Sequence, residues 1–157
     1  MGRKIVVTSG KGGVGKTTLT ASLGIAIAET GKKVVLVDAD IGLNNLDVVL
    51  AVENKVVYDV LDVISGKCRL KQALIQDVDN PTLYVLPSAK IQDSPLITAC
   101  SFRNVVDALA LNFDFVIIDC PAGIDNGFHR AVSAATEAIV VTTPHISAVR
   151  DADKVLS

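Results

Sequence analysis

The sequence predicts an α/β fold: a mostly parallel sheet flanked by helices on both faces. Two observations carry this. Short Val/Ile runs recur at 5 to 9, 34 to 38, 83 to 87, 115 to 119 and 138 to 143, with helix-patterned stretches between them. Hydrophobic residues make up 50% of the chain but aromatics only 4%, so the core vocabulary is Val, Ile, Leu and Ala, as in strands covered on both sides.

Taken in order, IVVTS leads into a glycine-rich turn, and the first helix is expected from near Gly15 through LTASLGIAIAET. Leu19, Leu23, Ala26 and Ile27 fall at helical spacing, and Gly31 supplies a C-terminal cap before VVLVD. YDVLDVIS before Gly66 and RLKQALI read as further helices, and SFRNVVDALALN as another with Ser101 as its N-cap. The final SAVRDADKVLS has helical periodicity without a cap or tail, which reads as one domain over 1–157 cut at its carboxy-terminal side. At 157 residues a single core is expected.

The formal net charge of −2 does not favour nucleic-acid binding by bulk electrostatics. Cys68, Cys100 and Cys120 are scattered, with no CxxC pair, so a reducing cytosol is expected rather than a disulfide framework or zinc site. The amino terminus runs straight into a strand, and no apolar run reaches bilayer-spanning length, so membrane contact is expected to be peripheral.

Gly10 through Thr17 reads GKGGVGKT, matching GxxxxGK[ST] between a strand and a helix, the setting of a P-loop NTPase. Backbone N–H groups of Gly12, Gly13, Val14 and Gly15 are expected to curl around phosphate oxygens at a positive helix end, and Lys16 adds a full charge. Thr17 offers a hydroxyl to Mg²⁺, and Thr18 reaches the α-phosphate. Asp119, closing FVIID, delivers a carboxylate to the same sheet edge for Mg²⁺, and the following PAGID is placed to sense the γ-phosphate. Asp38 and Asp40 follow the second strand, where a carboxylate can orient a water for attack on phosphorus. His129 and His145 stand alone and read as surface residues, and Cys120 reads as packing.

The loop holds one lysine more than phosphate binding needs. KGGVGKTT resembles the deviant Walker A motif of the MinD/ParA class of P-loop ATPases, and DADIGLNNLDVVL, VVYDVLDVISG, LKQALI, LYVLPSA, DCPAGI and AVRDADKVL are similar to its septum-site-determining branch. The resemblance runs from Ile5 to the last residue. It implies ATP and Mg²⁺ as ligands, ATP hydrolysis, and an ATP-dependent homodimer in which Lys11 reaches the partner's phosphates while Lys16 serves the chain's own. By position, Asp40 orients the attacking water, Asp38 supports the metal, Asp119 is the Walker B acid, Asn45 lies near the dimer seam and Asp151 faces partner proteins. Asn44 departs from the basic residue common at its position.

The implied output is placement of the division site, through division-inhibitor and ATPase-stimulating partner proteins and an anionic membrane surface on the inner face of the cell membrane. The family reaches that surface with a terminal helix beyond this sequence. Alternatives are a ParA-like DNA-partitioning or flagellar-number ATPase, an iron–sulfur cluster scaffold or electron-transfer ATPase, and a small-molecule kinase or ligase.

Overall fold

A computed structural model describes residues 1–12, 15–40, 45–90 and 94–157. The chain forms β1 (Arg3–Thr8), α1 (Lys16–Glu29), β2 (Val34–Asp38), α2 (Asn45–Val49), a 3₁₀ turn (Glu53–Lys55), α3 (Val60–Ile64) and α4 (Leu70–Ala73). It continues with β3 (Ile75–Gln76), β4 (Leu83–Leu86), α5 (Ala99–Ala110), β5 (Phe115–Asp119), α6 (Asn126–Ser133), β6 (Glu137–Val140) and α7 (Ile146–Leu156).

The strands form a six-stranded sheet in the order β3-β4-β2-β5-β1-β6. Every pairing is parallel except the edge pair β3 and β4. Alternation along the strands sends side chains to opposite faces, and the core divides accordingly. Val6, Val35, Val37, Val116 and Ile118 pack with Val60 of α3 and Phe102, Val106 and Leu109 of α5. Val7, Leu36, Val85 and Ile117 pack with Ala21 and Ala28 of α1 and Leu46 of α2. Helices thus cover both faces, as the sequence predicts.

Parallel register brings the carboxyl ends of β1, β2 and β5 to one edge, with Val7 and Asp38 each beside Asp119. That edge is where ligands bind in open α/β sheets.

Two local expectations change. The deeply buried stripe of α1 is Lys16, Thr20, Ala21, Gly24 and Ala28, while Leu19 is 39% exposed. The reason is close approach: a Cβ on Gly24 would lie 2.8 Å from Leu36 Cδ2, so small residues bring the helix down onto β2. Leu23 and Ile27 pack at the margin of that contact. At α5 the N-cap is Thr98, not Ser101. Thr98 Oγ1 accepts the Ser101 N–H at 3.0 Å, and Ser101 Oγ accepts the Thr98 N–H at 2.8 Å. This reciprocal pair starts the helix three residues earlier, and such caps contribute about 1 kcal/mol.

Candidate nucleotide site

The site is built where β1 turns into α1. Gly15 holds φ 88°, a left-handed conformation that costs glycine little, and its carbonyl accepts the Leu19 N–H at 2.9 Å. Upstream, Ser9 Oγ donates to the Lys11 carbonyl at 2.8 Å, and the Ser9 carbonyl accepts the Gly123 N–H at 3.2 Å. The second of these bonds ties PAGID to the loop. Gly13 and Val14, two of the expected phosphate-binding residues, lie outside the described residues.

Lys16 is 8% exposed and Asp119 fully buried, and Lys16 Nζ donates to Asp119 Oδ1 at 2.5 Å. Thr17 Oγ1 donates to the other carboxylate oxygen at 2.9 Å. Thr20, buried one turn on, donates to the Lys16 carbonyl at 2.9 Å and holds the first turn of α1. The residues predicted as phosphate lysine, metal hydroxyl and Walker B acid therefore converge on one carboxylate. A hydroxyl beside a carboxylate is a hard oxygen donor pair. It suits Mg²⁺, which takes one or two protein oxygens and completes its shell from phosphate and water.

Asp38 is also buried, and its two oxygens accept the Asp40 N–H at 3.1 Å and the Leu46 N–H at 3.2 Å. The carboxylate thereby starts α2 and orients the segment carrying Asp40, a structural task the sequence reading did not assign. The Ala39 N–H donates to the Asp119 carbonyl at 3.0 Å, locking β2's exit to β5. Asp40 lines a hollow of about 280 Å³ with Gly12, Gly15, Lys16, Thr17 and Thr18, so the predicted water-orienting acid and phosphate-binding residues share one cavity.

Lys11 stands apart. Its side chain is exposed and makes no ion pair among the described residues. Asp151 lies on α7, outside the hollow, and its carboxylate pairs with Lys154 at 3.7 Å. Its backbone nevertheless reaches the loop, since a Cβ on Gly10 would lie 2.0 Å from the Asp151 carbonyl oxygen. Asn44 lies outside the described residues, and Asn45 opens α2.

Cys120, directly after Asp119, sits fully in the core, and burial pushes its thiol up to about 11, so it packs as a neutral group. Cys68 is half-buried between α3 and α4 and Cys100 is exposed on α5, so the three thiols lie on separate segments of the chain. Among the described residues, no three His, Cys, Asp or Glu side chains gather as metal ligands. His129 and His145 are exposed. No helix among the described residues is long and apolar enough to cross a membrane.

One residue escaped the sequence reading altogether. Ser88, 2% exposed in LPSA after β4, donates its hydroxyl to the Asp40 carbonyl at 2.9 Å. The available signal was a small polar residue immediately beyond a parallel strand, at the ligand-binding edge.

Residues 2–157 match the AAA domain family. The chain is 55% identical over 157 residues to the septum site-determining protein MinD of Bacillus subtilis, covering 99% of this chain and 59% of that protein. Among solved structures, the MinC:MinD cell division protein complex of Aquifex aeolicus superposes with TM-score 0.87 at 46% identity, over 98% of this chain and 61% of that one. Pyrococcus horikoshii MinD complexed with Mg-ADP superposes with TM-score 0.88 at 39% identity, over 99% and 63%. The chain spans about three fifths of the length of the curated relatives it matches. With 54% identity to the similarly named protein of Guillardia theta as well, the chain belongs to the AAA domain family and is similar, within it, to septum site-determining MinD proteins.

Proposed function

We propose that this chain is the nucleotide-binding part of an ATP-hydrolysing dimerisation switch that helps to place the division site. The observation that carries the proposal is the contrast between two lysines five residues apart: Lys16 is buried on Asp119, whereas Lys11 is exposed without an ion pair among the described residues. A cation committed inside the site serves the chain's own phosphates. An uncommitted one at the mouth of the loop is placed to serve a second copy's.

In this reading the loop N–H groups and Lys16 would hold the β- and γ-phosphates, and Thr17 with Asp119 would hold Mg²⁺, which would supply neutralisation of negative charge at the phosphate oxygens. Asp38 supports the metal's waters, and Asp40 orients the water that attacks. Lys11 approaches the partner's triphosphate across a two-fold axis. Cations delivered in trans contribute about 10³ to 10⁵ in rate in comparable phosphoryl transfer. The Mg-ADP bound by the Pyrococcus relative supports the ligand, and the Aquifex MinC:MinD cell division protein complex supports a Min-system protein as partner, which in this reading is the division inhibitor. An ATPase-stimulating protein and an anionic membrane surface belong to the same proposal.

The test compares two variants by nucleotide titration and light scattering with ATP and Mg²⁺. Lys16→Ala is expected to lose ATP binding. Lys11→Ala is expected to keep binding within about tenfold while failing to dimerise, since exposed charges contribute little on their own. Equal loss of binding in both variants removes the division of labour.

A further inference from the structure

We infer that Ser88 is a positioning residue for hydrolysis, fixing the direction in which Asp40 presents its carboxylate; this rests on the role proposed above for Asp40. The argument begins with the two peptide planes flanking the Asp40 Cα. The Asp40 N–H, in the plane before it, donates to Asp38 Oδ1 at 3.1 Å. The Asp40 carbonyl, in the plane after it, accepts from Ser88 Oγ at 2.9 Å. Rotation about the two bonds to Cα is the backbone's only soft freedom, so holding both planes fixes φ and ψ and hence the Cα–Cβ direction. Without Ser88 the Asp40 carbonyl loses one of its holds, and the backbone that carries the carboxylate gains room to turn.

Ser88 is itself well anchored. The Pro87 ring before it limits backbone rotation, and the Pro87 carbonyl accepts the Val60 N–H of α3 at 3.1 Å. Leu86 and Ala89 on either side are fully buried. The hydroxyl therefore acts as a fixed strut from the end of β4 to the end of β2. Its placement matters because a misplacement of about 1 Å in a reacting group can cost about 10²-fold in rate.

The experiment uses the full chain with Ser88→Ala and the near-isosteric Ser88→Cys, whose thiol is a weaker donor. Ser88→Ala is expected to speed hydrogen exchange at the Asp40 and Leu46 amides by about tenfold, through easier local opening. It is also expected to lower kcat about tenfold while leaving ATP affinity within about twofold, with Ser88→Cys between the two. In an Asp40→Ala background, adding Ser88→Ala is expected to change kcat no further. Unchanged exchange at Asp40 in Ser88→Ala overturns the inference. So does a similar loss of kcat when Asp40 is already alanine. Should Asp40→Ala hydrolyse ATP at the wild-type rate, the proposed role of Asp40 fails instead, and the exchange comparison still decides whether Ser88 holds it.

Discussion

The phosphate loop has two ends that meet different surroundings. At its far end, Lys16, Thr17 and Thr20 are tied into the sheet edge and the first turn of α1. At its near end, Gly10 is pressed against the backbone of α7, while Lys11 and Gly12 are exposed. The difference separates residues that make the site from residues that present it: the far end is fixed by a buried ion pair and side-chain hydrogen bonds, and the near end by steric fit at Gly10 and by hydrogen bonds to backbone carbonyls, with the Lys11 side chain left exposed.

The largest expected effect breaks the near end. A Cβ at Gly10 would overlap the Asp151 carbonyl, whereas a Cβ at Gly12 meets nothing within 4 Å. Gly10→Ala is expected to destabilise the chain by about 3 kcal/mol, as overpacking against backbone does, and Gly12→Ala by less than about 0.5 kcal/mol. Urea denaturation measures both, and similar values would remove the proposed contact between loop and α7.

A smaller effect separates the two lysines. Lys16→Met leaves the Asp119 carboxylate buried with the Thr17 hydroxyl as its side-chain partner among the described residues, at an expected cost of about 1–3 kcal/mol after allowing for water in the adjoining hollow. Lys11→Met is expected to cost less than about 0.5 kcal/mol. Urea denaturation of the two variants measures the difference, and equal costs for Lys16→Met and Lys11→Met contradict the assignment.

The smallest effect sharpens the same contrast at a buried acid with no ion-pair partner among the described residues. Burial pushes the Asp47 carboxyl above its ordinary range, with the Val48 N–H pulling it back in part. The sign is the raised case: the native state is favoured below the unfolded pKa, and that advantage is lost as pH rises through the folded value. Asp47→Asn, which keeps an oxygen for the Val48 N–H, is expected to add about 0.5 kcal/mol near neutral pH and nothing well below the carboxylate range. The exposed Glu137 has the opposite sign. The Arg3 guanidinium bonds to it and lowers its pKa, so its contribution is present above the unfolded pKa and lost as pH falls through the folded one.

Much of the fold was legible because glycine and apolar runs have few alternatives. GKGGVGKT demands a turn between strand and helix, and the two five-residue runs ending in Asp38 and Asp119 are observed with the predicted bounds. The convergence of Lys16, Thr17 and Asp119 was legible for the same reason. What was missed depends on long-range partners. The five-residue α2 was not read as a helix, and it is started by Asp38, eight positions before Leu46. The two-residue β3 is set by its pairing with β4: Ile75, expected as the end of the RLKQALI helix, leaves α4 at Ala73 and pairs with Val85 instead. α6, inside a stretch not read as a helix, is capped by Asp125, the last residue of PAGID, which accepts the Gly127 and Phe128 N–H groups. Ser88 was invisible because its acceptor lies 48 residues away.

The central claim, that Lys11 acts on a second copy's nucleotide, is tested most directly by mixing two inactive variants. In a mixed dimer of Lys11→Ala with Asp40→Ala chains, the Lys11→Ala subunit keeps its own Asp40 and receives Lys11 from the other subunit. The account predicts that the mixture recovers ATP hydrolysis well above either variant alone, up to about half of the wild-type rate, because Lys11→Ala chains pair only with chains that keep Lys11 and each mixed dimer has one complete site. Turnover in the mixture no greater than the average of the two variants measured separately would contradict it.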